Sequence, residues 1–136
     1  MRCINSITLT KISKVLDNNV FVKKENCIAI GVSGGVDSMT LLNIASLWAK
    51  RFSKKLIVLT FNHNLREESY KDVQLVKLVS KSLNIECKSF LWNEKPSSAI
   101  LEKARLARYK IFSKYCRSRN INRLINICRS RRIERC

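Results

Sequence analysis

The hexapeptide Ser33-Gly34-Gly35-Val36-Asp37-Ser38 is the stretch of this chain best suited to chemistry. It follows the apolar run Cys27–Val32 and leads into a segment of helical composition. A strand-to-helix turn presents unpaired backbone N–H groups at the positive end of the helix dipole. Glycine lets the backbone take positive φ and come close to a ligand, and Ser33 and Ser38 add hydroxyl donors. Together these make an anion nest suited to phosphate or pyrophosphate. Asp37 would oppose the same anion unless a cation bridged them, which implies Mg2+ close by. A tight turn with an ordinary N-cap is the simpler reading of two adjacent glycines. The strand before, the helix after and the complete hexapeptide favour the nest. The loop is neither a G-x-x-x-x-G-K-[ST] nor a G-x-G-x-x-G pattern. All three glycines of the chain, Gly31, Gly34 and Gly35, fall in this one five-residue window.

Two further sites could take part. His63, the only histidine, stands just past the apolar run Lys55–Phe61, and ligands of open α/β sheets bind beyond the carboxyl ends of strands. A surface loop histidine is the alternative. Arg105 and Arg108 are three residues apart in a helical segment and so share a face. Such a pair can hold phosphates or a carboxylate, or be no more than a solvated basic face. Tyr109 and Trp48 read as core residues.

The elements that must position these residues follow from hydrophobic spacing. Ile7–Leu16 suits a short amphipathic helix, ended by Asn18-Asn19. Cys27–Val32 reads as a strand buried on both faces. Met39–Trp48 is helical, with Leu41, Leu42, Ala45 and Trp48 on one side. Lys55–Phe61 is a second strand, and Ser69–Leu83 a helix with Val73, Val76, Val79 and Leu83 inward and Leu75 and Leu78 beside them. Ile85–Leu91 is a weaker strand. Pro96-Ser97-Ser98 is a turn, and Ala99–Tyr115 a helix with Leu101, Ala104, Ala107, Ile111 and Tyr115 inward. Leu124–Ile127 forms a fourth strand. This alternation predicts an α/β domain with a mostly parallel sheet flanked by helices.

The 136 residues allow one domain, and a 46% hydrophobic content allows a real core. Charged residues at 27% argue against disorder. No apolar run is long enough to span a membrane, and no charged start leads into an apolar stretch, so a non-membrane, cytoplasmic protein is expected. Six cysteines without a C-x-x-C pair fit incidental thiols in a reducing compartment rather than a zinc site or disulfide scaffold. The net charge of +17 points toward polyanions or a solvated basic face. It is uneven: residues 103–136 hold 12 basic residues and one acidic one, Glu134.

The S-G-G-x-D-S loop resembles the pyrophosphate loop of the N-type ATP pyrophosphatases, which split ATP into AMP and pyrophosphate. Phe61-Asn62-His63-Asn64-Leu65-Arg66-Glu67-Glu68-Ser69 resembles the V-D-H-x-L-R-x-x-S segment of the tRNA(Ile)-lysidine synthases within that superfamily. Leu101-Glu102-Lys103-Ala104-Arg105-Leu106-Ala107-Arg108-Tyr109 is similar to that family's E-x-x-A-R-x-x-R-Y helix. The three motifs stand in family order across residues 25–125. The resemblance implies a Rossmann-like, adenine nucleotide alpha hydrolase-like sheet. It implies an enzyme that binds ATP and Mg2+, adenylates the C2 oxygen of the wobble cytidine of tRNA(Ile), and joins L-lysine to it as AMP leaves. Ser33, Gly34, Gly35, Val36, Asp37 and Ser38 would hold ATP, with Asp37 also at the metal. Asp37, His63 and Arg105 would take catalytic parts. Leu65 would line the site, and Arg66 and Arg108 would contact substrate or phosphate. A tRNA thiolation enzyme of the same superfamily and a non-catalytic basic RNA-binding fragment are the alternatives.

The sequence departs from that family in three places. Asn62 replaces the aspartate before the histidine. After the fourth strand the family shows L-L-x-A-H-H-x-D-D-x-x-E-T. Here Ile127 and Cys128 stand for the histidines, and Ser130 and Arg131 for the aspartates. Exchanging carboxylates for serine and arginine reverses the electrostatics that a magnesium ion needs. Family members also continue much further. The expected organisation is an N-terminal helix and lead-in over 1–24, an incomplete pyrophosphate-loop domain over 25–127, and an atypical arginine-rich end over 128–136. The sudden loss of the motif suggests a truncated or frame-shifted copy with impaired catalysis.

Overall fold

The computed structural model describes residue 14, residues 16–126 and the backbone of 133–135. The predicted helix over Ile7–Leu16 lies outside the described residues except for its end. Leu16 is helical and buried there. The elements are α1 (Val20–Lys24), β1 (Cys27–Gly31), α2 (Val36–Arg51), β2 (Lys55–Asn62), α3 (Glu68–Ser82), β3 (Glu86–Leu91), α4 (Ile100–Ser118), β4 (Arg123–Asn126) and β5 (Ile133–Arg135).

The sheet runs β3-β2-β1-β4-β5. The pairs β1–β2, β1–β4 and β2–β3 are parallel. β5 adds an antiparallel edge on β4, with Leu124 opposite Glu134, a strand the sequence pattern did not predict. From β1 the chain steps outward through β2 to β3, then returns through α4 to place β4 on the other side of β1. Neighbouring strands thus lead away in opposite directions at β1/β4, the switch point where open α/β sheets leave a crevice beyond their carboxyl ends.

The period-2 alternation of strand side chains sorts the core into two layers. Ile28, Ile30, Leu56, Val58 and Ile125 face α2 and α3, packing with Leu42, Ala45, Trp48 and Val76. Ala29, Ile57, Leu59 and Leu124 face the other way, against Phe112 and Cys116 of α4. This confirms the α/β class and the strand that is buried on both faces. The inward face of α4 differs from the prediction. Leu101 is 80% exposed, and the buried positions are Ala104, Phe112 and Cys116. The apolar spacing of this helix fits more than one stripe, and the sheet selects the one whose Phe112 reaches Leu59 and Phe61. Leu75 and Leu78 of α3 are likewise exposed, because Val73 and Val76 already fill the seam with the sheet.

Few glycines does not mean few left-handed turns. Ser53, Asn84 and Asn120 each have φ between 52° and 58° at the residue after the C-cap of α2, α3 and α4. In each case the next N–H bonds back to the carbonyl five residues earlier. The pairs are Lys54 to Ala49 at 2.8 Å, Ile85 to Ser80 at 2.9 Å and Ile121 to Cys116 at 2.8 Å. These are Schellman closures built on serine and asparagine rather than glycine. They aim the chain from each helix into the amino end of the next strand.

Candidate functional site

A cleft of about 250 Å3 opens at the carboxyl edge of the sheet. Three strand ends form it: Gly31–Ser33 after β1, Phe61 and His63 at β2, and Asn126 at β4. Arg66, Ser69 and Asp72 wall it from the turn into α3 and from α3 itself, and Arg108 and Phe112 wall it from α4.

The glycine loop has the shape that the hexapeptide predicts. Gly34 has φ +87, and a Cβ there would come within 2.9 Å of the Asp72 Cβ. Glycine is thus required both for the left-handed backbone and for close packing on α3. Gly35 caps α2 in extended backbone, and its N–H donates to the Ser33 Oγ at 3.4 Å. The loop is tied internally. The Ser33 N–H donates to the Ser38 Oγ at 3.1 Å, the Ser38 hydroxyl lies 3.0 Å from the Gly35 carbonyl, and the two serine hydroxyls stand 3.1 Å apart. Ser38 is buried and holds the loop, whereas Ser33 and Asp37 are exposed at its rim. Ser33, Gly35 and Ser38 line the cleft together with the start of α2.

His63 is fixed by its own turn. The Asn62 carboxamide accepts from the Asn64 N–H at 2.8 Å, and Asn64 turns back with φ 54. The Leu65 N–H donates to His63 Nδ1 at 3.2 Å, with the Ser69 hydroxyl 3.3 Å from the same nitrogen. Nδ1 is therefore the acceptor, and Nε2 carries the proton of a neutral ring. Burial, with the cations Arg66 and Arg108 nearby, pushes the imidazole pKa below its usual range, and Asp72 opposes them. Asn62 thus keeps the turn-forming role that an aspartate would have, without the charge.

The two arginines of α4 separate in role. Both guanidinium groups lie over the ring of Tyr109, Arg105 at 5.7 Å and Arg108 at 5.4 Å from its centroid. Arg108 alone reaches the cleft, and its Nε is buried without a hydrogen-bond partner. Arg105 is exposed and does not line the cleft. Asp37 is also outside the lining, at the first turn of α2. Three lining residues escaped the sequence reading: Phe112, on a helix face the apolar spacing did not select, Asp72 and Asn126. Asp72 stands three residues past Ser69, and its only signal is that helical spacing. Asn126, at the tip of β4, has no signal in the sequence at all. Among the described residues no three His, Cys, Asp or Glu side chains gather as a metal site, and no cysteine lines the cleft. Burial pushes the Cys27 and Cys87 thiols up, so both stay protonated at neutral pH.

A parallel sheet with its cleft at the switch point, and a glycine-serine turn at the first strand-to-helix junction, define the class as an open α/β domain. The family model of the PP-loop domain matches residues 4–129, and the chain belongs to that family. Its relatives are tRNA(Ile)-lysidine synthases. That of Wolbachia pipientis wMel is 39% identical over 104 residues, covering 74% of this chain and 24% of the relative. That of Rickettsia bellii (strain OSU 85-389) is 35% identical over 95 residues, covering 69% of this chain and 22% of the relative. The chain therefore spans about a quarter of the length of the relatives it matches. Among solved structures, the U34-tRNA thiolase of Methanococcus maripaludis shares the fold, with a TM-score of 0.75 at 20% identity over 88% of this chain and 44% of that one.

Proposed function

We propose that this chain carries the ATP-binding part of a tRNA(Ile)-lysidine synthase. The observation that carries this reading is convergence: residues from all three motifs, Ser33, Gly35 and Ser38, His63 with Arg66, and Arg108, line one cleft. The loop N–H groups and the Ser33 hydroxyl would take the phosphates of ATP. Arg66 and Arg108 would neutralise developing phosphate charge as pyrophosphate leaves and the wobble cytidine oxygen is adenylated. The neutral His63 would present its Nε2–H to the reacting groups. Arg105, set back on Tyr109, would hold Arg108 in place or meet the substrate from outside. Mg2+ fits here only as an ion shared with the nucleotide. Asp37 at the rim would hold it from one side and the phosphates from the other, which is how magnesium is ordinarily bound beside phosphates.

A tRNA substrate is supported by the exposed cations Lys103, Arg105, Lys110, Lys114 and Arg117 on α4. Lysine as the second substrate rests on the relatives alone. The histidine and aspartate pairs missing after β4 lead us to propose weak catalysis: nucleotide is bound, but little lysidine forms.

Calorimetric titration of the full chain with Mg·ATP, beside an Asp37→Ala variant, tests the reading together with an assay of lysine incorporation into tRNA(Ile). Binding in the parent, weakened in the variant, is the expected result. No ATP binding in either chain would leave only a basic RNA-binding role. Efficient incorporation would overturn the proposal of weak catalysis.

A further inference from the structure

Asn126 is the last residue of β4 and is 6% exposed, yet it lines the cleft. Its carboxamide lies directly over Gly31, so that a Cβ on Gly31 would overlap Oδ1. The same Cβ would stand 3.2 Å from the ring of Phe112. The oxygen end of the amide is thus packed against the β1 backbone, and Nδ2 has no hydrogen-bond partner among the described residues. A buried donor without an acceptor weakens the unliganded fold. The neighbouring positions of the same layer, Leu59 and Leu124, are apolar, so filling space does not call for an amide here.

The cleft divides by chemistry. Charge is handled on the side of the β1–α2 turn by the loop and from α4 by Arg108. Asn126 sits instead one strand over, beside Phe112 and near Phe61, which meet edge to face at 6.4 Å. An uncharged donor beside an aromatic wall suits a neutral, partly apolar group with a hydrogen-bond acceptor. We propose that Asn126 donates through Nδ2 to an acceptor on the nucleoside part of the bound nucleotide. Gly31 is then the residue that lets β1 and β4 close around the amide. This rests on the cleft being a nucleotide site.

The test measures ATP, AMP and pyrophosphate binding to the full chain and to Asn126→Ala, with thermal melting of both unliganded proteins. Loss of one neutral hydrogen bond should weaken ATP and AMP by about tenfold. Pyrophosphate binding should stay within about twofold, since its donors are untouched. The unliganded variant should melt no lower than the parent, because the orphaned donor has gone. An Asn126→Ser variant, whose hydroxyl is too short to replace Nδ2, should repeat the loss of AMP affinity. Unchanged AMP affinity, an equal loss for pyrophosphate, or a lower melting temperature in the alanine variant would each overturn the assignment. Failure of the parent itself to bind ATP or AMP would instead remove the nucleotide reading, and the assignment with it.

Discussion

The two edges of the sheet are built on opposite terms. At the amino edge charged side chains find partners. Glu86 at the start of β3 receives Lys55 at 3.3 Å and Arg119 at 3.2 Å, and Asn122 donates to Glu25 at 3.1 Å. Lys54 Nζ donates to the Lys23 carbonyl at 2.7 Å, and Schellman closures end the three long helices there. At the carboxyl edge polar groups are left over. Arg108 Nε and Asn126 Nδ2 are buried without partners, beside a loop whose only side-chain bonds run between its own residues. Trp48 Nε1 and Ser80 Oγ, toward the amino edge, also lack partners, but only at the carboxyl edge do two such groups line an open cleft, which marks that side for a ligand. The unpaired groups there weaken the free protein and become useful only when something binds.

Substitutions at the two edges should therefore fail differently. Gly34→Ala should have the largest effect: alanine resists φ +87, and its Cβ meets Asp72. ATP affinity should fall at least about a hundredfold through loss of the loop geometry, as read by titration calorimetry, and an ATP affinity equal to the parent's would break the contrast. Gly31→Ala follows. Overlap with Asn126 should cost about 1–3 kcal/mol of stability, measured by urea unfolding, and should also lower nucleotide affinity.

The pH dependence of stability should carry the mark of His63. Its folded pKa lies below the ordinary imidazole value, so the folded state holds the neutral ring and the unfolded state takes the proton first. The stabilisation is fully present above the unfolded pKa and is lost as pH falls toward the folded one. His63→Asn should flatten this acid limb in melting scans between about pH 5 and 8. An unaltered limb would mean that the ring is not held neutral.

At the amino edge the effects should be small and confined to stability. Asn120→Gly and Asn84→Gly should each stabilise by about 0.5–1 kcal/mol, since glycine takes left-handed backbone without strain. Glu86→Gln should cost no more than about 1 kcal/mol, because the ion pairs it breaks are half exposed. None of the three changes should alter ATP affinity. A shift in ATP binding from any of these would erase the distinction between the edges.

Much of this was legible along the chain. Parallel strands buried on both faces leave continuous apolar runs, so Cys27–Gly31 and Lys55–Asn62 stand out by composition. The glycine loop was equally plain, because a close backbone approach requires glycine and the chain's three glycines all fall between Gly31 and Gly35. Helix faces were harder. In α4 several apolar stripes coexist, and only packing against β4 and β1 selects Phe112 and Cys116 over Leu101. The left-handed turns at Ser53, Asn84 and Asn120 hide in residues that are also common in ordinary loops.

The sequence by itself determined the order of elements, the glycine turn after β1 and the family, since each depends on residues that are neighbours in the chain. Tertiary structure alone decided which distant residues meet. It drew Arg108 into the cleft and left Arg105 outside it, set Asp72 against Gly34, and laid Asn126 over Gly31. The last contact depends on the β1/β4 switch, which joins residues almost a hundred positions apart, and no local pattern encodes that distance.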